Sequence, residues 1–154
     1  DMDILENGTI VTWPRLARLG LIDRKAQLAE FNRQREKLRI RMEKPTDSIN
    51  SLSGGNQQKV VISKWLLRDC DVLIFDEPTR GIDVGAKSEI YKLMTQLAEE
   101  GKAIIMISSD MPELLRLSDR VIVMCEGRVT GELDISEATQ ESIMTFATKR
   151  EVRA

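Results

Sequence analysis

The strongest local indication of the fold is Val72-Leu73-Ile74-Phe75-Asp76-Glu77, a short apolar run that ends in two adjacent carboxylates. An uninterrupted apolar run of this length is typical of a strand that is buried on both faces of a sheet. In open α/β sheets, ligands bind at the carboxyl ends of the strands. Because side chains alternate along a strand, Asp76 and Glu77 are expected to point in different directions, so that one can hold a Mg²⁺ hydration shell while the other reaches a water. The alternative is a strand that simply runs into a polar loop.

The pattern on both sides of this stretch alternates between helix and strand. Apolar residues recur at helical spacing before it and after it, and a second short apolar run follows. This alternation predicts an α/β fold, in which helices flank a layered sheet. The predicted elements are a helix from Ser53 to about Arg68 with Val61, Ile62, Trp65 and Leu66 on one face, a helix with Ile90, Leu93, Met94 and Leu97 on one face that stops at Gly101, a buried strand Ala103–Ile107, a hairpin of Arg120–Cys125 and Arg128–Leu133 around Glu126-Gly127, and a last helix from Glu137 to Thr148.

The first 50 residues differ from the rest of the chain. Asp23 to Met42 is rich in Arg, Lys and Gln, and Leu28, Phe31, Arg35 and Leu38 are spaced like one stripe of a helix that ends before Pro45. Its basic run could be a nucleic-acid patch. The interleaved Glu36 and Glu43 favour a solvated helix face instead.

Composition excludes several classes of function. The net charge of -2 gives no general attraction to nucleic acid or to an anionic membrane. Histidine is absent, which removes every mechanism that needs an imidazole base, ligand or triad member. Cys70 and Cys125 form no CxxC pair and are interpreted as reduced thiols rather than as a disulfide or metal site.

A second chemical signal lies at Leu52-Ser53-Gly54-Gly55-Asn56-Gln57-Gln58, where the first long helix after Pro45 begins. A helix N-terminus offers unpaired N–H groups and a partial positive charge, which attract phosphate. The two glycines let a backbone approach closely, and Ser53 adds a hydroxyl donor. Taken alone, the segment could be a loop with a helix cap. Its position about 20 residues before the carboxylate strand favours a functional interpretation.

Together these segments resemble the ABC ATPases. Leu52–Gln58 is similar to the signature loop of that family, Val72–Glu77 to its Walker B strand, and Arg80-Gly81-Ile82-Asp83 to its D-loop. The string from Asp76 to Lys87 resembles one branch, the two-domain ATP-binding subunits of monosaccharide importers. The resemblance is to the second ATPase domain and extends from Ile22 to Thr148. It implies part of a P-loop NTPase fold.

The resemblance implies a role for each matching residue. Asp76 is expected to hold Mg²⁺ through water, and Glu77 to polarise the attacking water. The signature residues are expected to grip the terminal phosphate of an ATP that is held by the opposite ATPase domain. Asp83 is expected to report across that interface. The signature residues are Ser53, Gly54, Gly55, Asn56 and Gln57.

The resemblance also implies an organisation and a set of partners. Residues 1–50 correspond to a remnant of the helical, permease-facing subdomain, and residues 51–154 to the signature helix and the C-terminal part of the RecA-like core. The implied cofactors are ATP and Mg²⁺. The implied partners are the first ATPase domain of the same protein and the membrane permease subunits, with no nucleic acid. The implied location is the cytoplasm, peripheral on the inner face of the membrane.

The chain also departs from the family pattern. It contains no GxxxxGK[ST] phosphate loop, because Gly81–Ser88 imitates it only loosely and follows the carboxylates. The switch position, which is normally histidine, is Ser109. The resemblance places the first strand, the phosphate loop and the glutamine loop upstream of Asp1. We therefore expect that the chain alone neither binds ATP tightly nor hydrolyses it, and that unpaired strands lead to self-association.

Two alternatives remain open at the level of sequence. The first is an ABC-type ATPase without a transporter, acting on nucleic acid or ribosomes, for which the basic helix is the only support. A chromosome protein should also carry a long heptad tract, and none is present. The second is a non-catalytic interaction fragment.

Overall fold

A computed structural model describes residues 2–18 and 20–149. These residues fall into two compact units. Unit 1 comprises Asp1–Ile74 and Pro78–Ile105, and unit 2 comprises Phe75–Glu77 and Met106–Ala154.

Helices and strands alternate over most of the chain, as the sequence predicts. Two 3-10 turns at Ile10–Thr12 and Ile49–Ser51 supplement the regular elements. In chain order the elements are α1 (Ile4–Thr9), α2 (Trp13–Leu16), β1 (Ala17–Arg18), β2 (Leu21–Ile22), α3 (Arg24–Leu38), α4 (Gly54–Leu66), β3 (Val72–Asp76), α5 (Val84–Glu99), β4 (Ala103–Ile107), α6 (Met111–Leu117), β5 (Arg120–Cys125), β6 (Arg128–Asp134) and α7 (Gln140–Ala147).

Helical packing forms the core of unit 1. Helices α1, α3, α4 and α5 meet there, and Ile4, Phe31 and Ile90 are fully buried. The approach of α1 to α3 depends on Gly8, because a Cβ at this position would overlap the ring of Phe31. The predicted stripe of α3 is confirmed at Phe31 and Leu38, which are both buried, and it is wrong at Leu28, which is 38% exposed.

Helix α4 buries only part of the face that the sequence predicts. The prediction is wrong at Val61 and Trp65, which are 44% and 47% exposed, and it is confirmed at Ile62, which is buried. The buried positions are Gly55, Lys59, Val60, Ile62 and Ser63. The reason is that α4 packs against several helices, and it accommodates them with small and polar residues that a search for large apolar side chains ignores.

Helix α5 buries the predicted face. Its four apolar residues at helical spacing, Ile90, Leu93, Met94 and Leu97, are all buried. These residues pack α5, which follows the D-loop segment, against the rest of unit 1.

Strands β3 and β4 pair with each other. The Ala103 N–H donates to the Asp71 carbonyl at one end and the Glu77 N–H donates to the Ile107 carbonyl at the other. The hydrogen bonds keep the same order along both strands, which is the parallel arrangement, so both strands end at the same edge.

Burial on both faces, which the apolar runs predict, is wrong for these two strands. The side chains of β3 alternate between exposed and buried, with Ile74 67% exposed and Leu73 6% exposed. In β4, Ile105 is 51% exposed. An apolar run predicts that both faces of a strand are buried. It does not predict that residues of the same chain bury them.

A β-hairpin and the last helix form the core of unit 2. β5 and β6 pair antiparallel around Glu126 and Gly127, which have φ values of 49° and 78°. This is the pair of positive φ angles that a tight hairpin turn requires, and the predicted hairpin is confirmed. Val121 and Val123 pack with Ile143 of α7. The predicted last helix is also confirmed, although it is shorter than predicted at both ends.

Among the described residues, no helix combines the length and the hydropathy that a membrane crossing needs.

Candidate functional site

The predicted site residues fall into two groups, one in each unit. Ser53, Gly54, Gly55, Asn56, Gln57 and Asp83 belong to unit 1, and Asp76, Glu77 and Ser109 belong to unit 2.

The signature segment opens α4 with a serine whose hydroxyl does not cap the helix. Ser53 is exposed and holds the N-cap position, with φ -61° and ψ 153°, yet its side chain accepts nothing from the backbone of the first turn. The side chain of Asn56 donates to Ser53 Oγ instead, at 3.0 Å. The first N–H groups of α4 are thus left without the hydroxyl acceptor that a serine in this position usually provides.

Asn56 and Gln57 both make hydrogen bonds within the chain. Asn56 Oδ1 accepts from the Arg41 N–H at 2.9 Å, and Gln57 Nε2 donates to the Leu52 carbonyl at 2.9 Å. Both amides therefore hold the loop in shape.

The two glycines of the segment differ in their surroundings. Gly55 is buried, and a Cβ on it would lie 2.5 Å from the Cβ of Ala86 in α5. Gly54 is exposed, and a Cβ on it would lie 3.2 Å from Ile82 Cγ2. Gly55 is needed for the contact between two helices, whereas Gly54 leaves open backbone beside the D-loop segment.

A buried lysine ties α4 to its neighbours two turns below the loop. Lys59 is 6% exposed, and its Nζ donates to Glu89 Oε2 of α5 at 2.7 Å and to the Arg39 carbonyl at 3.4 Å. The hydrogen bond from Lys59 and the attraction of its charge hold the pKa of Glu89 below its usual range. Arg39 ends α3 with a φ of 51°, so one ammonium joins α3, α4 and α5.

Asp83 has a structural contact as well as its predicted role. Its Oδ1 accepts from the Ala86 N–H at 2.9 Å and so caps α5. A cap of this kind stabilises a helix by about 1 kcal/mol. The predicted role of Asp83 across a domain interface remains a prediction.

In unit 2, the geometry centres on Glu77. Asp76 is the last residue of β3 and is exposed, and Glu77 follows it with a φ of 47°. This left-handed conformation costs a non-glycine residue about 1–2 kcal/mol. It allows the Glu77 N–H to reach the Ile107 carbonyl at 2.8 Å while Glu77 Oε1 accepts from the Ser109 N–H at 2.9 Å.

Two of the residues that the sequence singled out are thus brought together. Glu77 and Ser109 are joined by a direct hydrogen bond at the edge where the parallel strands end. Ser109 takes part through its backbone, so this contact does not depend on which side chain occupies the switch position. The arrangement fixes one carboxylate oxygen of Glu77.

Sequence reasoning missed the network that holds the segment after β4. Ser108 Oγ donates to Glu113 Oε2 at 2.6 Å and accepts from the Asp110 N–H at 3.0 Å. Glu113 is 1% exposed, and within the described residues its Oε1 has no hydrogen-bond partner. The only available signal was a Glu three residues after Asp110, which is the spacing of a helix start.

The site offers one exposed carboxylate rather than a cage for a metal ion. Over residues 2–18 and 20–149, no three Cys, Asp or Glu side chains cluster as metal ligands. Mg²⁺ commonly binds proteins through one or two carboxylates, with waters and substrate phosphates as the other ligands. Asp76, exposed at the end of its strand, fits a ligand of that kind.

Comparison with known proteins identifies the family. The sequence profile described as ABC transporter matches residues 1–80, which is more than half of the chain. The chain belongs to the ABC transporter family.

Several relatives of this ABC transporter chain align with nearly all of it. A ribose/galactose/methyl galactoside import ATP-binding protein of Burkholderia lata is 58% identical over 97% of the chain and 30% of its own length. The ribose import ATP-binding protein RbsA 1 of Streptomyces avermitilis is 54% identical, over 96% of the chain and 28% of its own length. The xylose import ATP-binding protein XylG of Geobacillus kaustophilus is 48% identical, over 96% and 29%. The chain spans about 30% of the length of these relatives.

Solved structures support the fold. An ATP-binding cassette solved as a dimer bound to ADP and Pi superimposes with a TM-score of 0.72 at 21% identity, covering 87% of this chain and 57% of its own. A second ATP-binding cassette of an ABC transporter gives a TM-score of 0.76 at 19% identity, covering 97% and 64%. The predicted fold class, part of an ABC ATPase domain, is confirmed.

Proposed function

We propose that this chain is part of the ATP-hydrolysing subunit that powers import of a monosaccharide through an ABC-type permease. The relatives are named for import of ribose, galactose or xylose, and they align with at least 96% of the chain. The observation that carries the proposal is the exposed Ser53 hydroxyl, held off its own helix by Asn56 at the start of a glycine-bearing loop.

Ser53 and the start of α4 are proposed to act on a nucleotide bound mainly by a different ATPase domain. The uncapped N–H groups and the hydroxyl are donors without an anion of their own, which is the chemistry that a terminal phosphate needs. The chain itself has no GxxxxGK[ST] sequence with which to hold the rest of the nucleotide. The contribution of unit 1 is therefore to complete another site.

Glu77 is proposed to orient and polarise a water for attack on the terminal phosphate. Its position is constrained twice, by its own N–H on Ile107 and by the Ser109 N–H on its carboxylate. Bound Mg²⁺ neutralises phosphate charge, and Asp76 is proposed to hold it through water. Because the switch position is serine, this second site is proposed to be weaker than the first.

The proposed partners are the first ATPase domain of the same protein and the permease, and the proposed location is the cytoplasmic face of the membrane. Residues 1–50, which include α3, are the proposed permease-facing part, and residues 51–154 are the proposed signature helix and core segment. Nucleic acid is not proposed as a partner. The basic residues of α3 are interrupted by Glu30 and Glu36, and Lys37 forms an ion pair at 2.7 Å with Glu100, which follows α5.

The test is ATP hydrolysis and sugar uptake by the complete subunit, reconstituted with its permease in lipid vesicles. Ser53→Ala should reduce both rates about tenfold or more, because a hydrogen bond to a charged phosphate is lost. Glu77→Gln should reduce them less if the second site is the weaker one. Glu99→Gln, at the exposed end of α5, is the matched control and should leave both rates unchanged. Equal loss from Ser53→Ala and Glu77→Gln would contradict the division of labour between the two sites.

A further inference from the structure

A half-buried amide lies directly behind the exposed hydroxyl of Ser53. Asn56 has one hydrogen bond on each side of its amide, to the Arg41 N–H at 2.9 Å and to Ser53 Oγ at 3.0 Å. Oxygen and nitrogen of an amide side chain differ in chemistry, because the oxygen only accepts and the nitrogen only donates. The partners therefore determine which way the amide faces.

The Arg41 backbone decides the orientation of this amide. A backbone N–H can only donate, so the atom of Asn56 that faces Arg41 must be the oxygen. The nitrogen then faces Ser53, and the Ser53 oxygen accepts a hydrogen bond from it. A hydroxyl that accepts on one side keeps its own hydrogen for an acceptor elsewhere.

The result is a serine prepared to donate away from the protein. In the described structure the Ser53 hydroxyl makes no other side-chain hydrogen bond, and it does not cap α4. The hydrogen bond from Asn56 occupies one of the two acceptor lone pairs of this hydroxyl and holds its oxygen toward the amide instead of toward the backbone of the first helical turn.

We infer that Asn56 is a positioning residue, which acts on the nucleotide only through Ser53 by keeping the serine hydroxyl oriented as a donor toward an anion. This inference rests on the proposed function, because that function supplies the terminal phosphate as the anion. It replaces the direct contact with ATP that the signature resemblance predicts for Asn56. The Arg41 backbone makes the orientation of the amide depend on the segment that follows α3.

The test is a double-mutant cycle in the complete subunit, with kcat and KM for ATP measured for Ser53→Ala, Asn56→Ala and the double variant. Asn56→Ala alone should lower kcat/KM about fivefold, the effect of losing the preorganisation that one hydrogen bond provides. The double variant should match Ser53→Ala within twofold, because Asn56 has no effect without the hydroxyl. Asn50→Ala, which removes an exposed amide nearby, is the control and should leave kcat/KM unchanged.

Asn56→Asp tests the direction of the hydrogen bond. Its carboxylate still accepts from the Arg41 N–H, but toward Ser53 it offers an acceptor, so the hydroxyl should turn inward and donate to it. With Ser53 present, Asn56→Asp should therefore lower kcat/KM further than Asn56→Ala does. In the Ser53→Ala background this difference should be smaller, because only the added charge then distinguishes the two variants.

Nucleotide affinities separate positioning from a loosened fold. If the hydroxyl reaches the terminal phosphate, Asn56→Ala should weaken ATP binding and leave ADP binding unchanged, whereas a loosened loop weakens both. Equal losses for ATP and ADP, or an effect of Asn56→Ala that is undiminished in the Ser53→Ala background, would overturn the inference. If Ser53→Ala itself had no effect on ATP hydrolysis, the proposed function would fail instead.

Discussion

The contact between Gly55 and Ala86 allows a quantitative test of why the signature segment contains two glycines. A Cβ at Gly55 would lie 2.5 Å from Ala86 Cβ. Carbon atoms attract best at about 3.5–4.0 Å, so Gly55→Ala forces the two helices apart by roughly 1 Å. Such overpacking costs about 1–3 kcal/mol, and the better helix propensity of alanine offsets up to about 1 kcal/mol of it. We expect a net loss of about 0.5–2 kcal/mol in the free energy of unfolding.

Removal of the opposing methyl group should abolish or reverse this loss of stability. Ala86→Gly alone should cost up to about 1 kcal/mol through helix propensity. In that background Gly55→Ala should be neutral or stabilising, because its Cβ occupies the space that the methyl group has vacated. Gly54→Ala, whose Cβ would lie 3.2 Å from Ile82, is the matched control and should not respond to Ala86→Gly.

Urea unfolding followed by the fluorescence of the two tryptophans, Trp13 and Trp65, measures all these variants. Both tryptophans belong to unit 1, so the signal reports on the helices concerned. If Gly55→Ala destabilises the chain equally with alanine and with glycine at position 86, the packing explanation is refuted.

Three further predictions concern charge, capping and nucleotide binding. The hydrogen bond and the charge of Lys59 lower the pKa of Glu89 in the folded state, so this pair contributes its full stability above the ordinary pKa of a glutamate and loses it as the pH falls through the lower, folded pKa. Glu89→Gln should therefore lower the free energy of unfolding by about 1 kcal/mol at pH 7 and make it depend less on pH in the acid range. An unchanged pH dependence would contradict this prediction. Asp83→Ala should lower the free energy of unfolding by about 1 kcal/mol, whereas Asp83→Ser, which can still cap the helix, should leave it unchanged. If the complete subunit with Asp83→Ser no longer hydrolyses ATP, Asp83 has a role beyond the cap. The 154-residue chain alone should bind ATP with a Kd above about 1 mM in calorimetry. The reason is that its sequence contains no phosphate loop, which would make several charge-assisted hydrogen bonds to the nucleotide. Tighter binding would refute this prediction.

Self-association stays a prediction. The alternating exposure of β3 leaves Val72 and Ile74 more than half exposed, which is apolar surface that a second chain could cover. Light scattering at increasing concentration measures it, and a monodisperse monomer at high concentration would contradict it.

Local sequence determined most of the elements. The helix from Val84 to Glu99, the strand Ala103–Ile107 and the hairpin around Glu126-Gly127 are all present as predicted. These features depend on residues close together in the chain, through hydrophobic period and through turn residues that tolerate positive φ. The elements that were missed are short, such as α6, because one or two turns are too few residues to show a period.

The candidate residues were also visible in the sequence, but their contacts were not. Ser53, Glu77 and Ser109 stand out by motif, whereas only the fold shows that Glu77 accepts from the Ser109 backbone, 32 residues later. Likewise, no local pattern shows that the Arg41 N–H orients Asn56. A backbone donor has no side-chain signature, so its partner becomes visible only when the chain has folded.

The order of residues along the chain was enough to predict most of its helices and strands, its family and the residue types available for phosphate chemistry. The tertiary structure alone decided which face of α4 is buried, why Gly55 has no side chain and which atoms Asn56 and Glu77 bind. The physical reason is that propensity and period act within a few residues of the chain. Packing and hydrogen bonds instead join residues that become neighbours only through the fold, and they depend on distances of a few tenths of an ångström.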